Sequence, residues 1–246
     1  MRPNSIAVFR IIRYTYPYMY DPTKVITDGV RIMTASFAKS LNKLTRGKLQ
    51  PVHVTVLSFL GHIPAAWALY TGKPVLAAIL ISVFGLMDSL DGALAREQGS
   101  ASRIGMFFDA VTDRLKEILL YSALIVYTSS YKSGVNSWAV VALAGTSLLV
   151  SYVKAKGEMA FAGLDIDPQK LNKMFDDGLA RYEIRMFLLV AGLISGILTP
   201  IINFVIALNL VTAALRFSIV SQELTNAEQA EITSLKIHKK HEQVKK

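Results

Sequence analysis

The chain has 246 residues, no cysteine, 52% hydrophobic and 18% charged residues, and a formal net charge of +9. The missing cysteines exclude a disulfide scaffold, thiolate metal centres and cysteine nucleophiles. A mean hydropathy of +0.38, gathered into long apolar runs, excludes an ordinary soluble domain and points to membrane spans.

From the N-terminus, no short apolar core with a small-residue cleavage site follows the first methionine, so a cleavable signal peptide is not expected. Tyr14, Tyr16, Tyr18 and Tyr20 suit an interfacial aromatic belt. Ile26, Val30, Met33, Phe37, Leu41 and Leu44 then recur at steps of three or four, with Asp28, Arg31, Lys39, Lys43 and Arg46 mostly off that stripe. This spacing predicts an amphipathic helix lying in the headgroup layer.

Six apolar segments follow: Val52–Tyr70, Val75–Leu90, Ile104–Tyr127, Ser137–Val153, Met186–Leu198 and Ile201–Gln222. Several meet the length of about 17–25 residues that a spanning helix needs; the fifth is short and must recruit its flanks. The expected fold is all-α, an integral membrane bundle of six transmembrane helices behind an N-terminal interfacial helix. Residues 1–50 form the N-terminal segment, 51–222 the membrane domain and 223–246 a charged tail.

The loops differ by side. Thr71–Pro74, Thr128–Asn136 and the Thr199-Pro200 turn carry only Lys73 and Lys132 as basic residues, whereas the first 50 residues hold nine and Lys154–Arg185 holds six. By the positive-inside rule both termini are expected on the cytoplasmic side of the membrane. The positive charge therefore serves topology and anionic headgroups, and no nucleic-acid partner is expected.

The second and third segments read Asp88-Ser89-Leu90-Asp91-Gly92-Ala93-Leu94-Ala95-Arg96 and Gly105-Met106-Phe107-Phe108-Asp109-Ala110-Val111-Thr112-Asp113. At about 100° per residue, Asp88, Asp91, Gly92, Ala95 and Arg96 share one helix face, and Gly105, Asp109 and Asp113 share another. A short connection turns the two faces toward each other. Four carboxylates at a membrane face repel one another and must be neutralised. Two divalent cations would cancel them, and oxygen-only donors suit Mg²⁺, Mn²⁺ or Ca²⁺, which in turn favour phosphate oxygens. Gly92 and Ala95 leave room for a ligand, and Arg96 offers a planar fork of donors for a diphosphate.

The run Asp-x2-Asp-Gly-x2-Ala-Arg-x8-Gly-x3-Asp-x3-Asp, complete over residues 88–113, resembles the signature of the CDP-alcohol phosphatidyltransferase family. The resemblance implies a two-metal centre of Mg²⁺ or Mn²⁺ on Asp88, Asp91, Asp109 and Asp113, with Asp113 also the general base that deprotonates the acceptor alcohol. It implies that Gly92, Ala95, Arg96 and Ser102 lie at the CDP-lipid donor. The stretch Pro51-Val52-His53-Val54-Thr55 is similar to the family's Pro-Asn-x-x-Thr entry to the first span; Val52 stands where Asn is common, so only backbone contact is expected there. The implied reaction is attack of an alcohol on CDP-diacylglycerol, or an ether-lipid analogue, with release of CMP. A homodimer is likewise implied.

Lys154, Arg185 and Arg216 converge on the leaflet that holds the aspartates, which suits an acceptor carrying its own phosphate. Ser151–Glu158 and Asp113-Arg114 are similar to the corresponding stretches of phosphatidylinositol phosphate synthases, in which these basic positions bind the acceptor phosphate. Ala180–Arg185 follows that subfamily's pattern loosely, after a longer loop with Asp165, Asp167, Asp176 and Asp177. Inositol phosphate is the preferred acceptor, with a glycerol-phosphate transferase as the alternative. Outside the family stand a polyprenyl-diphosphate transferase, which needs more spans, and a cation transporter, which places its acids at the bilayer midplane.

Overall fold

A computed structural model describes residues 22–131, 134–162 and 180–244. The tyrosines at 14–20 and the four loop aspartates lie outside them. Among the described residues there is no strand, and seven helices follow one another: α1 Pro22–Thr45, α2 Pro51–Tyr70, α3 Pro74–Glu97, α4 Arg103–Ser130, α5 Ser137–Ala160, α6 Tyr182–Ser195 and α7 Leu198–Val244.

The boundaries have local causes. Pro51 and Pro74 stand in the first turns of α2 and α3, where a missing N–H costs nothing and a fixed φ favours the helix. Ser102 caps α4 by accepting from the Gly105 N–H at 3.1 Å, and Asn136 caps α5 by accepting from Trp138 at 3.0 Å. Gly196 ends α6 in the left-handed region at φ 76°, the conformation that only glycine enters without strain.

Among the described residues four helical stretches are long and apolar enough to cross a membrane: Pro51–Tyr70, Pro74–Glu97, Ser137–Ala160 and Leu198–Gln229. The other two expected spans fall short for separate reasons. Helix α4 carries Asp109, Asp113, Arg114, Lys116 and Glu117 within its first fifteen residues, which removes it from any purely apolar count. Helix α6 has 14 residues, and at 1.5 Å per residue reaches only about two thirds of a 30 Å hydrocarbon core. Helix α7 differs in the opposite sense: it runs unbroken from the last apolar segment into the charged tail, as far as Val244.

Packing follows chain order in part: α2 lies against α3 and α4, α3 also against α1 and α6, and α5 against α7. The main apolar core joins α2 to α7 through residues such as Leu69, Ile81, Leu120, Leu143, Leu189 and Ile202. Gly61 makes the α2–α3 approach possible, since a Cβ there would fall 2.0 Å from the Phe84 ring. A smaller core of Ala38, Val54, Leu90, Ala93 and Leu94 fastens α1 to the ends of α2 and α3 that lead to the aspartates.

Helix α1 meets this core through Ala38, with Leu41 packed beside it, while Met33, Phe37 and Leu44 of the expected apolar stripe point outward. Large apolar side chains are exposed around the bundle, among them Trp67, Phe187, Phe204 and Leu210. This outward apolar surface is what lipid-facing helices present.

Candidate active site at the α3–α4 face

Asp88 and Asp91 project from α3, Asp109 and Asp113 from α4. One carboxylate oxygen from each of Asp88, Asp91 and Asp109 lies within 4.8 Å of the others, a spacing that a single cation spans. Asp91 is buried, and the Thr55 hydroxyl of α2 donates to its Oδ2 while also reaching the Pro51 carbonyl at 3.2 Å. The start of α2 thereby touches the carboxylate cluster through Thr55. Val54 is buried in the small core, and Val52 and His53 are exposed.

Asp113 has a different neighbour. Lys116, one turn further along α4 and with no exposed surface, donates to Asp88 Oδ2 and lies 2.8 Å from Asp113 Oδ1. The second contact is an ion pair rather than an aligned hydrogen bond. The Lys116 ammonium also sits 5.3 Å from the centre of the Tyr182 ring of α6, in cation–π range. Asp88 Oδ1 is buried without a hydrogen-bond partner. An acidic oxygen left in that condition fits a metal ligand, and the all-oxygen donor set fits Mg²⁺ or Mn²⁺.

Gly92 and Arg96 occupy the last turns of α3, and the Arg96 guanidinium folds back to within 3.5 Å of where a Gly92 Cβ would be. A methyl group at 92 would meet that arginine at ordinary van der Waals distance. Ala95 is half-buried behind it, and Ser102 stands exposed at the start of α4.

A cavity of about 360 Å³ opens beside these groups, between α3 and α6. Ile81, Leu86, Met186, Phe187 and Val190 line its apolar part; Asp88, Asp109, Asp113, Arg181 and Glu183 line its charged part. The space thus runs from hydrocarbon-like walls to the carboxylates, as an amphiphile with a charged head requires.

The expected acceptor-binding cations each have protein partners. Arg185 is buried against Glu117 of α4, with Nε at 2.8 Å and NH2 at 2.7 Å from Oε1, and its NH1 donates to the Ala180 carbonyl. Arg114 completes this network, reaching Glu117 at 2.5 Å and the Ser151 hydroxyl of α5 at 2.7 Å. Arg216 of α7 donates to the Val150 carbonyl at 3.2 Å, and Lys154, one turn on, lies 3.8 Å from Glu158.

Lys116 and Glu117 escaped sequence reasoning, although charges inside an apolar segment were the available signal. Below them Ser58 and His62 extend the polar face of α2 beyond Thr55: His62 Nδ1 lies 2.8 Å from the Ser58 carbonyl, and its Nε2 is buried without a partner.

Residues 48–220 match the family model for CDP-alcohol phosphatidyltransferase. The chain belongs to that family. Among curated members, the phosphatidylinositol phosphate synthase of Mycobacterium marinum is 32% identical over 130 residues, covering 50% of this chain and 56% of the relative. The archaetidylinositol phosphate synthase of Pyrococcus horikoshii is 32% identical over 117 residues, covering 47% of this chain and 58% of the relative. The chain therefore spans somewhat over half the length of these two. The structure of the Mycobacterium tuberculosis phosphatidylinositol phosphate synthase with CDP-DAG bound shares the fold, with a TM-score of 0.61 at 24% identity over 76% of this chain and 92% of that one. The same protein in complex with manganese and citrate aligns at a TM-score of 0.57 and 24% identity, over 78% of this chain and 88% of that one.

Proposed function

We propose that this family member transfers the phosphatidyl group of CDP-diacylglycerol, or of an ether-linked counterpart, to a hydroxyl of inositol phosphate and releases CMP. The observation that carries the reading is the cavity between α3 and α6, apolar along its wall and ending at Asp88, Asp109 and Asp113. The names of the mycobacterial and archaeal relatives support the acceptor and leave both lipid backbones open.

The residue roles follow from position. The lipid chains lie along Ile81, Leu86, Met186 and Phe187, which keeps the reacting end at the carboxylates and away from bulk water. Arg96, free to arch over Gly92, donates to the diphosphate. Asp88, Asp91 and Asp109 would hold Mg²⁺ or Mn²⁺, which when bound neutralises the diphosphate and the charge developing on the leaving CMP oxygen. Asp113, with Oδ1 turned to Lys116, takes the acceptor's hydroxyl proton on Oδ2. The acceptor oxygen then attacks the lipid-side phosphorus, and the bond from that phosphorus to CMP breaks.

For the acceptor's own phosphate, Arg181 is the best placed cation, because it lines the cavity with Asp109 and Asp113. Lys154 and Arg216, at the seam of α5 and α7, supply the surrounding positive field. Arg185 orders Glu117 and Arg114 from beneath.

In the same reading all six helices from α2 to α7 cross the cell membrane, within residues 51–222, and both termini lie on the cytoplasmic side. Helix α4 is accepted because its charges are satisfied inside the bundle, and α6 because Arg181 before it and the Gly196-Ile197 break after it extend it toward the interfaces. Helix α1 rests in the headgroup layer on Met33, Phe37 and Leu44, and the chain works as a homodimer.

Release of labelled CMP from CDP-diacylglycerol tests the reading, with inositol 1-phosphate, glycerol 3-phosphate, serine and inositol supplied in turn. Release is expected with inositol 1-phosphate and a divalent ion. Release with serine or unphosphorylated inositol instead would refute the acceptor, and none with any alcohol would refute the transfer.

A further inference from the structure

Glu183 opens the face that α6 turns to the cavity. Glu183, Met186, Phe187 and Val190 all line that space, and at about 100° per residue they share one side of the helix. They start from the end of α6 beside the carboxylates, because the ring of the neighbouring Tyr182 lies 5.7 Å from the Arg114 guanidinium of α4. Glu183 therefore shares the charged end of the cavity with Asp88, Asp109, Asp113 and Arg181.

Its charge is unexplained by its surroundings. Among the described residues, neither the Glu183 nor the Arg181 side chain has a hydrogen-bond or ion-pair partner. Both substrates in the proposed reaction bring phosphates, and a further carboxylate repels them. The first turn of α6 suits an acid, since a helix N-terminus is electropositive. That accounts for a carboxylate in the turn but not for its place on the cavity side.

We propose that Glu183 reads the hydroxyls of the acceptor, so that the site selects a phosphorylated cyclic polyol over glycerol phosphate. The inference deepens the phosphatidyl-transfer reading and rests on it.

The chemistry is that of a group that only accepts. A carboxylate offers two oxygens and no donor, so it pairs with adjacent hydroxyls, each donating to one oxygen. Once one hydroxyl has been given to the reaction, glycerol phosphate has a single hydroxyl left, whereas inositol phosphate still has adjacent pairs. An acceptor without them leaves the carboxylate facing phosphate unrelieved, and a site built on such contacts rejects it. The ribose of CDP also carries a diol. The donor residues Gly92 and Arg96 do not line this cavity, however, whereas Asp113 and Arg181 line it with Glu183. The acceptor end is thus the one that meets the carboxylate.

Acceptor kinetics on the purified chain in nanodiscs test the proposal, with thermal midpoints measured alongside. Glu183→Ala should raise KM for inositol 1-phosphate by about tenfold or more and leave KM for the CDP-lipid within about twofold. Its preference for inositol 1-phosphate over glycerol 3-phosphate in kcat/KM should narrow by a similar factor. Glu183→Asp keeps the charge at the helix end but withdraws the oxygens; it should keep the wild-type midpoint and still show a raised acceptor KM. An unchanged acceptor KM in a folded Glu183→Ala protein, or an equal rise for the CDP-lipid, overturns the proposal. So does a wild-type acceptor KM in Glu183→Asp with a lowered midpoint in Glu183→Ala, which assigns the acid to the helix end. Each of these, with CMP still released from the wild type by inositol 1-phosphate, leaves the proposed function standing. No release by the wild type with any alcohol overturns both.

Discussion

Arg185 of α6 grips Glu117 of α4 through Nε and NH2 at 2.8 and 2.7 Å, with both side chains almost wholly buried. The pair ties the helix behind the cavity to the helix that carries Asp109 and Asp113. With NH1 also donating to the Ala180 carbonyl, all three nitrogens of the guanidinium hold a protein oxygen.

Removing the arginine leaves Glu117 charged and partly unpaired inside the bundle, at a cost of about 3–5 kcal/mol. Arg185→Ala should therefore lower the thermal midpoint in detergent by on the order of 10 °C. Arg185→Ala combined with Glu117→Gln should recover part of that loss. A single variant with an unchanged midpoint and only a raised KM for the acceptor would identify Arg185 as a substrate ligand instead.

Thr55 offers a finer probe of the carboxylate set. Thr55→Val keeps the shape but removes the hydroxyl that donates to buried Asp91. A hydrogen bond to a charged group is worth roughly 1.5–3 kcal/mol, so Mn²⁺ affinity should change by more than tenfold by isothermal titration, as Asp91 loses its orientation. Thr55→Ser should bind like the wild type. Equal affinities for valine and serine variants would show that Asp91 needs no such partner.

Gly85 lines the cavity, with no atom within 4 Å of where its Cβ would be. Gly85→Leu should fold, because it meets open space, and should fill part of the lipid slot. We expect kcat/KM for a long-chain CDP-lipid to fall at least tenfold, about 1.4 kcal/mol, and to fall less for a short-chain one. Equal losses for both chain lengths would place the lipid elsewhere.

Asp113→Asn removes the base while keeping a similar volume. A positioned general base contributes about 10²–10⁴ in rate, so kcat should drop within that range while KM for the CDP-lipid shifts little. Near-normal turnover would assign the proton transfer to another group.

The spacing from Asp88 to Asp113 made the carboxylate site legible, because periodicity within a helix fixes which side chains share a face. It also gave the six apolar segments their places, each falling within or largely over one helix from α2 to α7. What it did not convey depends on contacts between distant positions. Glu117 and Arg185 are 68 residues apart, and no local pattern marks one as the partner of the other. Lys116 lies in register with Asp113, yet its bond to Asp88 needs the actual approach of α3 to α4. The mixed charges of the tail allow a solvated helix or a disordered end, and α7 takes the first course, since a change from apolar to charged composition alters the surroundings of a helix without ending it.

The most direct test of the account is mass-spectrometric identification of the lipid formed from CDP-diacylglycerol and inositol 1-phosphate by the purified chain, with and without a chelator. The account predicts phosphatidylinositol phosphate as the product, with CMP in equal amount, and neither when the divalent ion is removed. Undiminished product in the presence of the chelator, or a lipid lacking the inositol phosphate head, would contradict it.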